Sequence, residues 1–267
     1  MNKYKHFLQK TSVIHNFLAI VHALYLREIN TRFGSKGISY LVALLDAVVP
    51  ILIFSLVHSA LRGEHHTTYD HAVFVAVGFL GFNFFKNFLR ASMDLFESNF
   101  TIYSYKQIRP IHSLFALYLV EFIVIFFIAV FLLAVGFVLQ RDLTVEHFTM
   151  VLFAFLWLTF FAFSVGLVLS VLAHFFKGIR KIVNLMFLPL MFLSALFYSV
   201  DSLPYLFREY ILWNPLVHFM EMLHGNYFEA LDTSYVSYPY MFFWTFLPLW
   251  IGLYLYRLLE KKIIAHD

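Results

Sequence analysis

The sequence predicts an all-α integral membrane protein. It has six transmembrane helices, an N-terminal amphipathic interface helix and a re-entrant helical hairpin between spans 5 and 6. Three observations carry this prediction. Hydrophobic residues make up 61% of the 267 residues and charged residues only 13%, against about 25% charged in a soluble domain. Apolar stretches recur at about the length needed to cross ~30 Å of hydrocarbon at ~1.5 Å per residue. Sixteen of the nineteen Lys and Arg residues fall in alternate gaps between those stretches.

Taken in chain order, the six spans cover about 38–61, 71–89, 113–139, 148–173, 184–200 and 236–256. The fifth is the shortest and contains Pro189. The N-terminal segment carries Lys3, Lys5, Lys10, Arg27, Arg32 and Lys36. The gap after span 2 carries Lys86, Arg90, Lys106 and Arg109, and the gap after span 4 carries Lys177, Arg180 and Lys181. The C-terminal tail adds Arg257, Lys261 and Lys262. The other gaps hold one basic residue each: Arg62, Arg141 and Arg208. Basic residues concentrate in cytoplasmic loops, so both termini are expected in the cytoplasm. Residues 1–12 are polar and basic, and no A-x-A-like site follows the first apolar stretch. No cleavable signal peptide is therefore expected.

Three segments are neither span nor short loop. Residues 13–33 place Ile14, Phe17, Val21 and Leu24 at helical spacing, with Arg27, Glu28 and Arg32 at the far end. Such a helix lies in the membrane interface, and Gly34 and Gly37 end it. Residues 90–112 read as a mixed, partly helical cytoplasmic loop ending at Pro110. Arg90, Asp94 and Glu97 share one helical face there, beside Met93 and Phe96, in the manner of a docking knob. Residues 201–235 hold two short apolar helices, one starting at Ser202-Pro204 and one ending at Gly225, interrupted by Trp213-Asn214-Pro215. Neither half spans a bilayer. Irregular backbone at membrane depth survives only inside protein or beside water, which favours a hairpin dipping in from the outer face. The alternative is a single kinked seventh span, which would put Lys261 and Lys262 outside.

The chemistry is sparse. The chain has no cysteine, hence no disulfide, thiol nucleophile or thiolate metal site. No G-x-x-x-x-G-K-[ST] occurs among its ten glycines, so any ATP hydrolysis belongs to another polypeptide. No basic run interleaved with aromatics points to nucleic acid. Glu64, His65, His66, Asp70 and His71 cluster in one loop, read as solvated rather than as a metal site. His218 and His224 stand six apart, off a common helical face, which suits a structural or pore-lining role. Asp46 and Glu121 are intramembrane carboxylates. Such groups cost roughly 3 kcal/mol or more unless they meet a partner or water. They read equally as a gate or dimer contact and as packing pairs.

Aromatics form 21% of the chain. Tyr198, Tyr205, Tyr210, Trp213 and Tyr227, with Asn214, gather around the hairpin. They fit either an interfacial aromatic belt or a sugar path, in which flat rings meet pyranose C–H faces.

Three motifs carry a family resemblance. Leu26-Arg27-Glu28-Ile29-Asn30-Thr31-Arg32-Phe33-Gly34 resembles the signature before the first span of ABC-2-type permeases, most closely those of Gram-negative capsular polysaccharide exporters. Leu212-Trp213-Asn214-Pro215-Leu216-Val217-His218 resembles their hairpin motif, and Tyr105-Lys106-Gln107-Ile108-Arg109-Pro110-Ile111 their stretch after the coupling loop. Gln107 replaces a Pro of that stretch. Asp46 stands in place of a Glu followed by Pro, the kink moving to Pro50. The resemblance runs from about residue 20 to 257.

It implies a homodimeric permease of the inner membrane, not itself an enzyme, with one ATP-binding subunit docked under each copy. ATP and Mg would be bound only by that partner. The implied cargo is a lipid-linked polysaccharide handed to periplasmic and outer-membrane export partners. Arg27, Glu28, Arg32, Arg90, Asp94 and Glu97 are the expected ATPase-facing residues, and the hairpin aromatics the expected external path. An O-antigen, teichoic acid or small-drug exporter would keep the same fold. A membrane-embedded lipid-linked sugar transferase would need clustered carboxylates or a His nucleophile facing one leaflet, which the sequence lacks. A self-sufficient ion-coupled transporter would run on a proton or sodium gradient without ATP.

Overall fold

The computed structural model describes residues 13–33, 38–62 and 69–265. Lys3, Lys5, Lys10, Gly34, Lys36, Gly37, Glu64, His65 and His66 lie outside the described residues. The described residues fold into nine α-helices and contain no strand. In chain order these are α1 Val13–Phe33, α2 Ile38–Arg62, α3 His71–Ser98, α4 Pro110–Val138, α5 Phe148–Phe175, α6 Gly178–Phe192, α7 Tyr205–Ile211, α8 Pro215–Tyr227 and α9 Tyr238–Ala265. The helices α3, α4, α5 and α9 are long and apolar enough to cross a membrane. In α2 the apolar stretch is Leu44–Val57.

The helix starts follow local chemistry. The Asp70 carboxylate accepts the Ala72 and Val73 amides at 2.9 and 3.4 Å and caps α3. Pro110 opens α4, where its missing N–H is no loss. The Arg109 amide donates to His112 Nδ1 at 3.0 Å just before it.

The interior is built around α3 and α5. Phe74, Phe79, Phe82, Phe84, Phe88 and Phe96, all on α3, are fully buried. In lipid the gain comes from close packing rather than from removing apolar surface from water. Gly166 of α5 permits that approach: a Cβ there would stand 2.5 Å from Phe88 Cε1. Outside this pair, α4 packs on α3 and carries α1, α9 packs on α5, and α8 fills the space against α5 and α3.

The two ends of the bundle differ in charge. At one end the start of α3, the end of α4, the start of α5 and the end of α8 converge: Arg141 pairs with Asp70, and the Glu146 and His147 amides donate to the Tyr227 and Asn226 carbonyls. At the other, here the basic end, α1, the end of α3, the starts of α4 and α6 and the end of α9 meet through Arg27, Arg109, Lys177 and Arg180.

Three regions differ from the sequence reading. Arg90, Asp94 and Glu97 belong to α3 itself, which runs on to Ser98 before a 3-10 turn at Phe100–Ser104. Nothing between residues 71 and 98 breaks the helix, so the charged turn simply continues it. The fifth apolar helix is α6, Gly178–Phe192, rather than 184–200. The buried segment Ser194–Leu196 ends it, with Ala195 at φ 55°. That left-handed backbone is strained for a non-glycine residue and is held by packing. At 15 residues α6 is about 22 Å long. Gly225 also lies within α8, which continues to Tyr227.

Candidate functional site

At the basic end α1 is fastened to the bundle by charge. Arg32 Nε lies 2.8 Å from Glu28 Oε1, one turn earlier, and Arg32 Nη1 lies 2.5 Å from Glu121 Oε1 on α4. The Glu121 side chain is only 7% exposed. A carboxylate in an apolar helix needs such a partner, since an unpaired buried charge is strongly unfavourable. Arg27 donates to the Asn99 side chain at 2.5 Å, and Asn99 in turn donates to Leu95 O at the end of α3. Three of the residues expected to face a partner, Arg27, Glu28 and Arg32, thus make their described polar contacts within the chain.

The remaining three line one face of α3. Lys86, Arg90, Asp94 and Glu97 follow at spacings of four, four and three. Lys86 pairs with Asp46 of α2 at 3.0 Å, and the Asp46 side chain is 50% exposed. Arg90 donates to Asn184 of α6 at 3.1 Å and lies over the Phe187 ring. Arg180, in the first turn of α6, reaches Asp94 at 3.2 Å and Glu97 at 2.6 Å, and Lys177 stands 3.9 Å from Glu97. The result is a ladder of charged side chains, basic at Lys86 and Arg90 and acidic at Asp94 and Glu97, that joins α2, α3 and α6. The shared face of Arg90, Asp94 and Glu97 was legible from spacing. The partners on α2 and α6 were not, because they lie 40 to 94 positions away.

At the opposite end the hairpin aromatics separate into two groups. Tyr205, Tyr210 and Trp213 point outward, 69%, 77% and 80% exposed. Tyr198 folds back, its hydroxyl donating to Phe192 O at 2.8 Å. Tyr227 is buried at the end of α8, its hydroxyl 3.4 Å from Leu143 O. Asn214 joins two helices. Its Oδ1 accepts the Leu216 amide at 3.1 Å, capping α8, while its Nδ2 donates to Leu193 O at 2.8 Å, just past α6. One side chain satisfies backbone groups that both helix ends would leave open.

Four polar residues here escaped the site reading or were left without partners by it. Glu221 is buried in α8 and accepts the Val200 amide at 2.8 Å. It was visible in principle: it is a lone carboxylate inside an apolar run, the same signal that picked out Asp46 and Glu121. His218 accepts the Ser237 amide on Nδ1 at 3.2 Å and donates from Nε2 to Leu212 O at 2.9 Å, so it acts as a structural bridge. The His224 ring stacks on Phe74 at 3.7 Å and bonds Phe74 O. Arg208 ties α7 to its neighbours, as described below. Among the described residues no group of three or more His, Asp or Glu is placed to hold a metal ion.

Residues 20–228 match the family model of the ABC-2 type transporter. The chain is 28% identical over 245 residues to the polysialic acid transport protein KpsM of Escherichia coli, covering 92% of this chain and 95% of that protein. It is 26% identical to the capsule polysaccharide export inner-membrane protein CtrC of Neisseria meningitidis serogroup B, covering 91% and 92%. The inner-membrane protein BexB of Haemophilus influenzae, also named for capsule polysaccharide export, is 25% identical with 91% and 92% covered. The match spans α1 through α8 and takes in both the charged ladder and the helix pair: the chain belongs to the ABC-2 type transporter family.

Proposed function

We propose that the chain is the membrane subunit of an ATP-driven exporter that moves a lipid-linked capsular polysaccharide across the inner membrane. The observation that carries this reading is the exposed charged ladder. An ion pair such as Asp46–Lys86, half open on apolar helices, is unfavourable against lipid. It belongs against water or a second copy of the chain. A homodimer closing over α2, α3 and α6 supplies both, with a hydrated path between the copies.

In this reading α2 and α6 complete six spans with the four long apolar helices. Both termini lie in the cytoplasm, where the basic end faces two copies of an ATP-binding subunit. Asp94 and Glu97, 62% and 48% exposed, sit on the surface where a docked ATPase would push against both α3 and α6. Arg180 would carry that push between the helices. Arg27 and Arg32 would pass it to α1 and α4 through Asn99 and Glu121. On the outer side α7 and α8 form a re-entrant pair. The exposed rings of Tyr205, Tyr210 and Trp213 edge the exit, presenting flat apolar faces to sugar rings. Periplasmic and outer-membrane partners then receive the polymer. ATP and Mg are bound by the partner subunit alone.

Co-purification tests the assembly: the chain should bring down a separately encoded ATPase in a two-plus-two complex. In that complex Glu97→Ala should abolish ATPase stimulation and export while the permease still inserts and dimerises. Normal export with unchanged stimulation would overturn the coupling assignment.

A further inference from the structure

We propose that Arg208 is the positioning residue of the outer end: a latch that holds α7 against the bundle and must release for α7 to move. This rests on the reading that α7 edges the exit. None of the seven residues of α7 is buried. Only Arg208 and Ile211 of α7, with Leu212 just after it, turn partly inward, while Tyr205, Leu206, Phe207 and Tyr210 remain largely exposed. Apolar packing is confined to the far end, where Ile211 and Leu212 meet Ala195, Val200 and Val217, and polar links set the near end.

Those links converge on one guanidinium. Arg208 Nη2 donates to Asp201 O at 2.7 Å and to Leu203 O at 3.1 Å, and lies 3.5 Å from the Asp201 carboxylate. Arg208 Nη1 donates to the Tyr235 hydroxyl, and the guanidinium carbon stands 4.8 Å from the Tyr235 ring centre. Tyr235 closes the triangle by donating to Asp201 Oδ1 at 3.2 Å. Three segments are thereby joined: the turn before α7, α7 itself and the loop before α9. The planar fork of arginine makes all these contacts at once, which a lysine ammonium does not.

Two features suit a latch that opens. The Arg208 Nε is buried without a hydrogen-bond partner, and an unsatisfied donor lowers the net hold. A cavity of about 250 Å³ borders two partners of Arg208, Asp201 and Tyr235, together with Ser199, Asp232 and Ser234. Water there can satisfy the partners that Arg208 leaves. The far end of α7 is anchored differently. Tyr240 donates to Trp213 O at 2.7 Å, and Asn214 caps α8. The latch at Arg208 and a hinge at Trp213–Pro215 make α7 a short arm.

The chain lacks cysteine, so a nitroxide attached to the Tyr210→Cys permease before it is assembled with the ATP-binding subunit reports α7 alone. Arg208→Ala should raise the mobile fraction of that label about tenfold, equivalent to 1.4 kcal/mol. Tyr235→Phe, which keeps the ring and loses the hydroxyl, should give a smaller rise, and Arg208→Lys a partial rescue. In the unlabelled protein, R208C/Y235C bridged by a flexible bis-thiol reagent should stop export, and cutting the bridge should restore it. An immobile label in both Arg208→Ala and Tyr235→Phe overturns the latch. Should Arg208→Ala fail to fold, Tyr235→Phe and the bridge still decide. A mobile label with export indifferent to the bridge leaves the latch standing and overturns the placement of α7 at the exit.

Discussion

Helices α7 and α8 are neighbours in sequence, share one end of the bundle and are similarly apolar, yet their environments are opposite. None of the seven residues of α7 is buried, whereas eleven of the thirteen in α8 are. The helix α8 is wedged between α3 and α5: Phe219 stacks on Phe161 at 4.9 Å and meets Trp157 edge-on at 6.0 Å. The helix α7 is tied from outside by hydrogen bonds. In a membrane protein, apolar composition therefore says little about interior position, because lipid accepts an exposed Leu as readily as the core does. The same contrast recurs at the basic end, where Arg32 on the buried Glu121 and Arg180 on the half-exposed Glu97 both fasten helices.

The comparison can be broken most directly with one phenylalanine from each helix. Phe219→Ala should lower the unfolding free energy in detergent by about 3 kcal/mol. Phe207→Ala, 68% exposed, should stay within about 0.5 kcal/mol. Equal losses would show that α7 is packed as firmly as α8.

Arg32→Ala should cost about 2 kcal/mol, less than a fully buried pair because Arg32 is 29% exposed. Adding Glu121→Ala should recover part of that loss, since the uncompensated carboxylate is then gone. A double-mutant cycle with no coupling would remove the pair from the account.

Glu221→Ala, which strands the Val200 amide, should cost about 1.5 kcal/mol. Glu221→Gln retains an acceptor and should cost less, and identical losses would mean the Val200 bond is not what Glu221 supplies. Asn214→Ala removes the cap of α8 and the tie to Leu193 together. About 1 kcal/mol is expected, read as a lower melting temperature. Smallest is Glu97→Ala, within about 0.5 kcal/mol because the carboxylate itself is 48% exposed. That near-neutral stability is what makes its expected loss of export informative.

The carboxylates show how far reading the chain reached. Asp46 and Glu121 were legible as groups in need of partners, since charge inside an apolar run has few uses. Their partners, Lys86 and Arg32, could not be paired with them from spacing, being 40 and 89 residues distant. Trp213-Asn214-Pro215 was legible as a break between two helices because proline and an N-capping Asn have local meanings. That Asn214 also reaches back to the end of α6 was not.

What the sequence determined by itself was therefore local or additive: helical class, long apolar runs, the breaks at Pro204 and Pro215, and the spacing that puts Arg90, Asp94 and Glu97 on one face. Each depends on a residue and its near neighbours. The tertiary structure decided which apolar helix is interior, where α6 stops, and which charges meet across α2, α3 and α6. Those outcomes depend on packing between segments far apart in the chain. In lipid, apolar burial no longer ranks the alternatives, so shape and hydrogen bonding choose among them.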